Sequence, residues 1–202
     1  RAFQMLEVPR THQAKILNHG QVEDSLDRHG WSASKLWNVA NYHSREVWDE
    51  TGEIPDHGDL KHELKTHNKY KGLHSQSSQR VLEELAEAFN SWYSSDDDRD
   101  NPPGYRKENY YDDQGRRVHE EHPRSTVTWK QNGIRHDTKN NRVRLSKGAN
   151  HKEHPKAWEY ILVEYETRPG VTVENLQQVR AVYDQQKEQW ELHLVCKDEI
   201  ET

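Results

Sequence analysis

Fourteen histidines invite a metal reading, and their spacing argues against it. His57, His62 and His67 surround the run H-E-L-K-T-H, a near match to the zinc-protease pattern H-E-x-x-H. His62 and His67 are five residues apart, about 500° of helical turn, so their rings diverge where residues four apart would share an ion. His119 with His122, and His151 with His154, stand three apart among charges with no third ligand nearby. All are read as solvated or loop-capping groups. Asp96, Asp97 and Asp98 are consecutive, so they cannot converge on the paired metal ions of a nuclease without a special turn. A solvated charge run is the better reading. No His-x-His triplet accompanies the tyrosines, which removes the metal site of a tyrosine-nucleophile transposase. No catalytic residue and no metal ligand is therefore expected in this chain.

Chemistry suited to nucleic acid is better represented. Gln76, Ser77, Ser78 and Gln79 precede the apolar run V-L-E-E-L-A-E-A-F. Such a polar first turn either caps a helix through serine or offers glutamine to adenine in a major groove, and both readings stand. Arg142 and Arg144 alternate with Val143 and Leu145, which on a strand puts both bases on one face, with Lys147 just beyond. A phosphate-binding stripe and an ordinary solvated face are the competing readings. Lys130, Gln131 and Asn132 leave a neighbouring strand. Tyr105 with Arg106 and Lys107 joins a stacking ring to two charges, a combination suited to single-stranded nucleic acid.

The net charge of −6 looks wrong for such a partner until it is resolved along the chain. Gln21 to Glu63 carries ten acids and four bases, whereas Arg124 to Lys156 carries nine bases and two acids. A local positive face on an acidic body can follow a phosphate backbone while shedding non-specific affinity.

Periodicity then supplies the elements that position these groups. Arg10 to Leu17 alternates as one strand. Gln21 to His29 reads as a short helix ended by Gly30, and Ser32 as the cap of a long one reaching Gly52 and Pro55. Asp59 to His67 is a third helix. Ser75 to Tyr93 is a fourth, with Leu82, Leu85, Phe89 and Trp92 on one stripe. Ser94 to Asn101 and Glu108 to His122 are polar, with little periodicity, and read as loops or hinges. Beyond Arg124 the period becomes two, in Thr126–Lys130, Arg142–Ser146, Tyr160–Glu166, Gln178–Tyr183 and Glu191–Lys197. Short strands so spaced predict a small barrel closed by the early strand, hence an α+β fold with the helices inserted after its first strand. The expected divisions are residues 1–18, 19–95 and 96–202.

Two hundred and two residues suffice for a core without disulfides. Seven Trp and nine Tyr offset an apolar fraction of 31%. A single cysteine, Cys196, excludes a disulfide framework and a four-cysteine zinc site within these residues. No run of eighteen apolar residues and no leader pattern is present, so a soluble cytoplasmic protein without a membrane partner is expected. The numbering opens on Arg1 and not on Met, which suggests a piece of a longer reading frame.

Several stretches, in this order, resemble the amino-terminal half of the TnpB/OrfB family, the transposon-encoded RNA-guided endonucleases. They are K-L-W-N-V-A-N-Y-H-S-R-E-V-W-D-E-T-G (Lys35–Gly52), the helix Ser75–Tyr93, P-P-G-Y-R-K (Pro102–Lys107), S-T-V-T-W-K-Q-N-G (Ser125–Gly133), N-R-V-R-L-S-K-G (Asn141–Gly148) and W-E-L-H-L-V-C-K (Trp190–Lys197). The likeness covers nearly the whole chain and is greatest to salt-adapted members. It implies an OB-like wedge barrel with inserted recognition helices that resemble a helix-turn-helix. It implies two partners, a transposon-derived guide RNA and a short DNA motif. Trp48, Thr51, Ser75, Gln76, Gln79 and Lys130 fall at the DNA-motif positions. Trp48 stands where other members have tyrosine and Ser75 where some have lysine. Tyr105, Arg106, Lys107, Arg142, Arg144 and Lys147 would hold RNA. The family's nuclease carboxylates and zinc ribbon would lie in a carboxy-terminal part beyond Thr202, so Mg and Zn are implied only there. A nuclease-less DNA-binding regulator and an inactive truncated relic are the alternatives.

Overall fold

Alternation of apolar and polar residues after Arg124 sets most of the sheet, and the helices come before it. The computed structural model describes residues 3–120, 123–152 and 158–201, with backbone alone at 108–111 and 117–120. In chain order the elements are β1 (Met5–Ile16), α1 (His19–Thr51), α2 (His57–Leu64), α3 (Ser75–Tyr93), β2 (Glu108–Tyr111) and β3 (Arg117–Glu120). Then follow β4 (Val127–Lys130), β5 (Ile134–Asp137), β6 (Arg142–Ser146), β7 (Tyr160–Glu166), β8 (Leu176–Asp184) and β9 (Gln189–Glu201). The chain divides into two compact units. Arg1–Arg28, Thr126–Lys147 and His151–Thr202 form the first, and His29–Ser125 with Gly148–Asn150 the second.

In the first unit seven antiparallel strands run in the order β4-β8-β9-β1-β7-β6-β5. The two end strands, β4 and β5, are joined by the single 3₁₀ turn Gln131–Gly133, so the sheet curls into a nearly closed, barrel-like form. β1 is therefore an inner strand and not the closing one. It pairs with β9 along its length but with β7 only at Lys15 and Ile16. Alternate residues fill the interior in register: Val143 opposite Val163, Leu145 opposite Ile161, Val179 opposite Leu194, and Leu192 between Ala14 and Ala181. Trp129 and Trp190 are fully buried. Each indole removes some 150–250 Å² from water, worth at most about 4–6 kcal/mol. Their polar edges are satisfied: Trp129 Nε1 donates to Ser146 O at 2.9 Å and Trp190 Nε1 to Asp27 Oδ1 at 2.8 Å. The start of α1 belongs to this core through Val22 and Leu26, and His19 Nε2 accepts from Trp190 N at 2.9 Å.

The expected pair of helices before Gly52 is one helix. Gly30 keeps a negative φ and does not break it. Val22, Leu26, His29, Ala33, Leu36 and Ala40 form an unbroken buried stripe at helical spacing, which outweighs the roughly 1 kcal/mol that an interior glycine costs. Ser32 lies within the helix and not at its start. The helix stops at Gly52, whose φ of 71° and N–H bond to Trp48 O at 2.8 Å make a left-handed end.

In the second unit Leu60 and Leu64 of α2 and Val81, Leu82, Leu85 and Phe89 of α3 are buried. α2 begins at a reciprocal cap, in which Asp56 Oδ1 accepts from Asp59 N and Asp59 Oδ2 from Asp56 N. It ends at Leu64, before His67, whose Nδ1 accepts from Lys69 N at 3.0 Å in the following loop. The stretch expected as a loop from Glu108 carries the hairpin β2–β3. Its turn closes at Asp112, which bonds Gly115 and Arg116 through the backbone, with Gly115 at φ 74°.

Candidate nucleic-acid interface

Strands β5, β6 and β7 lie side by side, so their outward residues form rows across the sheet. Arg135 is directly opposite Arg144, and Arg144 opposite Leu162. One step along, Asp137 is opposite Arg142, and Arg142 opposite Glu164. One step the other way, Ser146 faces Tyr160. With His136 at its rim, this surface lines a cleft of about 340 Å³.

The rows differ in charge balance. Arg142 Nη2 holds Asp137 Oδ2 at 2.9 Å. Hydrogen bonds from Asn140 and Arg142 lower the Asp137 carboxyl to about 2. Arg142 is thus neutralised on one side and faces a second acid, Glu164, on the other. Arg135 and Arg144 are exposed, and no carboxylate among the described residues pairs with either. Like charges placed directly opposite on an antiparallel pair repel. Tyr160, 36% exposed, and half-buried Leu162 border the two guanidiniums, and Trp158 is 75% exposed just before β7.

Behind this face the groups are inert. His136 Nε2 lies 2.6 Å from Tyr165 Oη, and the two rings are stacked. Burial makes His136 less basic and pushes the Tyr165 hydroxyl up to about 12. The Cys196 thiol, pushed up to about 11 mainly by burial, is not poised to react. Lys147 is half-buried, and desolvation with nearby Arg28 lowers its basicity. Lys130 closes β4 and is also half-buried.

In the second unit Pro103–Arg106 lies as a strap along α1. Trp37 Nε1 donates to Gly104 O, Asn41 Nδ2 and Arg45 Nη2 both to Pro103 O, and Asn38 exchanges two bonds with the Arg106 backbone. Tyr105 is 40% exposed beneath the Arg45 guanidinium at 5.1 Å, and Lys107 is exposed. Arg106 is spent internally. Its guanidinium sits 4.1 Å over the Trp37 ring and 3.8 Å from Glu84, with burial lowering its basicity, so it offers little to a phosphate.

The helix start of α3 separates its polar residues. Ser77 and Ser78 turn inward, and Ser78 Oγ donates to Tyr70 O at 2.6 Å, so it caps no helical N–H. Gln76 and Gln79 are half-exposed, Ser75 is exposed, and Gln79 hydrogen-bonds the Tyr70 hydroxyl. Trp48 makes edge contacts to Trp92 at 5.4 Å and Tyr93 at 5.8 Å. Thr51 Oγ1 donates to Val47 O and accepts from Glu53 N, which ties it to the end of α1.

Arg135, Tyr160 and Leu162 are the site residues that sequence reading missed. The alternation Ile134-Arg135-His136-Asp137 before the turn Thr138–Asn141 was the available signal. His122, His154 and Lys156 lie outside the described residues, as does the side chain of His119. Among the described residues no three metal-ligating side chains form a group, and no helix is long and apolar enough to cross a membrane. No protein-family model and no curated protein matches this chain.

Proposed function

We propose that this chain is the amino-terminal, nucleic-acid-binding part of a TnpB-like RNA-guided DNA endonuclease. Its barrel-like sheet holds the guide RNA, and its helical unit reads a short DNA motif, so that protein recognises the motif and base pairing the target. The observation that carries the reading is the uncompensated pair Arg135 and Arg144, directly opposed on β5 and β6 in the basic part of the chain. Two arginines directly opposed on neighbouring strands, with no carboxylate among the described residues paired to either, can bring two guanidiniums to an anion such as phosphate. The element order also supports it, since β1 precedes α1–α3 and the rest of the seven-stranded sheet follows, as a wedge barrel with inserted recognition helices requires. Gln76 and Gln79 at the start of α3 are the residues offered to the DNA motif. Titration of the chain with a labelled 20-nucleotide RNA from 50 mM to 500 mM NaCl tests the reading. Binding at low salt that weakens with a log-log slope of about −0.7 per phosphate contact is expected. No binding at 50 mM NaCl refutes it.

A further inference from the structure

We infer that the row Arg135–Arg144–Leu162, with Tyr160 beside it, is a site for one unstacked nucleotide of single-stranded RNA, with a phosphate between the two guanidiniums and the neighbouring base on the tyrosine ring. The inference rests on the nucleic-acid reading above and narrows it. Charge balance decides against a continuous track. Neighbouring outward rows lie about 6.6 Å apart along a strand, so a backbone running along β6 from Arg144 would bring its next phosphate to Arg142. That position is flanked by Asp137, already bonded to Arg142 at 2.9 Å, and by Glu164. Two acids around one base repel a second phosphate. Among the described residues that line this cleft, the arginines with no acid directly opposite are Arg135 and Arg144, enough for one phosphate.

The other direction supplies a different surface. Next to the pair come half-buried Leu162 and then Tyr160 at 36% exposure. Apolar and aromatic groups beside a lone phosphate site are matched by a nucleobase that is free to leave its stack. A duplex keeps its bases stacked and shows only edges and backbone, whereas single strands offer base faces to aromatic rings. The cleft of about 340 Å³ falls at the lower end of the range for small-molecule sites, which suits one nucleotide.

The test compares binding of the full chain to a labelled ten-nucleotide uridine RNA and to a twenty-base-pair RNA duplex, with uridine monophosphate as competitor. Wild-type protein should prefer the single strand. Tyr160→Leu should weaken single-strand binding about tenfold with an unchanged salt slope, Tyr160→Phe should restore it, and duplex binding should not respond. Arg144→Gln should lower the salt slope for the single strand by about 0.7. Circular dichroism and thermal melts of each variant show whether it folds, and Tyr160→Phe guards against a merely structural effect. Equal binding of duplex and single strand, with Tyr160→Leu silent, overturns the single-nucleotide site and leaves nucleic-acid binding intact. Loss of all nucleic-acid binding by wild-type protein at 50 mM NaCl sinks both.

Discussion

Replacing Arg135 and Arg144 by glutamine, singly and together, measures the repulsion that the unliganded sheet tolerates. Glutamine keeps most of each aliphatic stem, so packing on Leu162 changes little. Directly opposed residues have Cβ atoms about 4.5–5.5 Å apart, and two repelling guanidiniums on flexible stems splay to about 7 Å. Coulomb's law then gives roughly 0.6 kcal/mol in water, reduced to about 0.3 kcal/mol at 0.1 M salt, where the Debye length is about 10 Å. Each single variant also loses attraction to Asp137 and Glu164 one step along the strands, so neither needs to be stabilising alone. The double-mutant cycle removes those separate contributions and should return a repulsive coupling of about 0.3–0.6 kcal/mol. Urea is the denaturant of choice, because guanidinium chloride is itself a salt and would screen the effect. At 1 M NaCl, with a Debye length of about 3 Å, the coupling should vanish. An attractive coupling at low salt, or one that salt leaves unchanged, would refute the claim that this pair lacks compensation.

Gly148→Ala should destabilise the protein by about 3 kcal/mol in urea unfolding, because a Cβ there would lie 2.4–2.5 Å from the backbone of Gly72 and Leu73; a loss below about 0.5 kcal/mol would contradict the contact. Asn41→Ala should cost about 1–3 kcal/mol, since Asn41 is fully buried between Pro103 O and Arg45 and its loss removes a bond to each, leaving Arg45 as the remaining donor to the carbonyl. His136 carries a pH dependence whose sign is fixed. Burial lowers its folded pKa below the unfolded value near 6.5, so the unfolded chain binds the proton first and stability falls as pH drops below about 6.5. His136→Gln should flatten the fall in melting temperature between pH 7 and pH 5, and an unchanged slope would remove His136 as a cause.

Strands and helices declared themselves where burial follows a simple period. Arg142–Ser146, Tyr160–Glu166 and Ser75–Tyr93 are bounded where the pattern bounds them. Gly30 and Ser32 misled because local breaking and capping preferences are weak against a stripe of buried side chains on both sides. β5 escaped notice because it is four residues long with one buried apolar residue, Ile134. With it went the partner of Arg144, so the basic stripe along β6 was legible while the pairing across strands was not. Whether a charge is free or spent depends on neighbours distant in sequence. Arg106 looked available beside Tyr105, yet Trp37 and Glu84, one on each of two helices, consume it.

The strap on α1 also determines where sequence information resides. The hydrogen bonds from Trp37, Asn38, Asn41 and Arg45 go to its carbonyls and one of its amides, while Tyr105 and Arg106 add side-chain contacts, to Arg45 and Trp37. Main-chain groups are the same in nearly every residue, so the hydrogen bonds hold the strap's path without fixing its sequence, apart from the ring and charge contacts of Tyr105 and Arg106. The helix cannot drift in the same way, because each of the four side chains has a shape-specific donor to deliver. A spaced pattern of the form W-N-x-x-N-x-x-x-R is therefore a better tag for tracing this architecture in distant chains than the more conspicuous P-P-G-Y-R it holds.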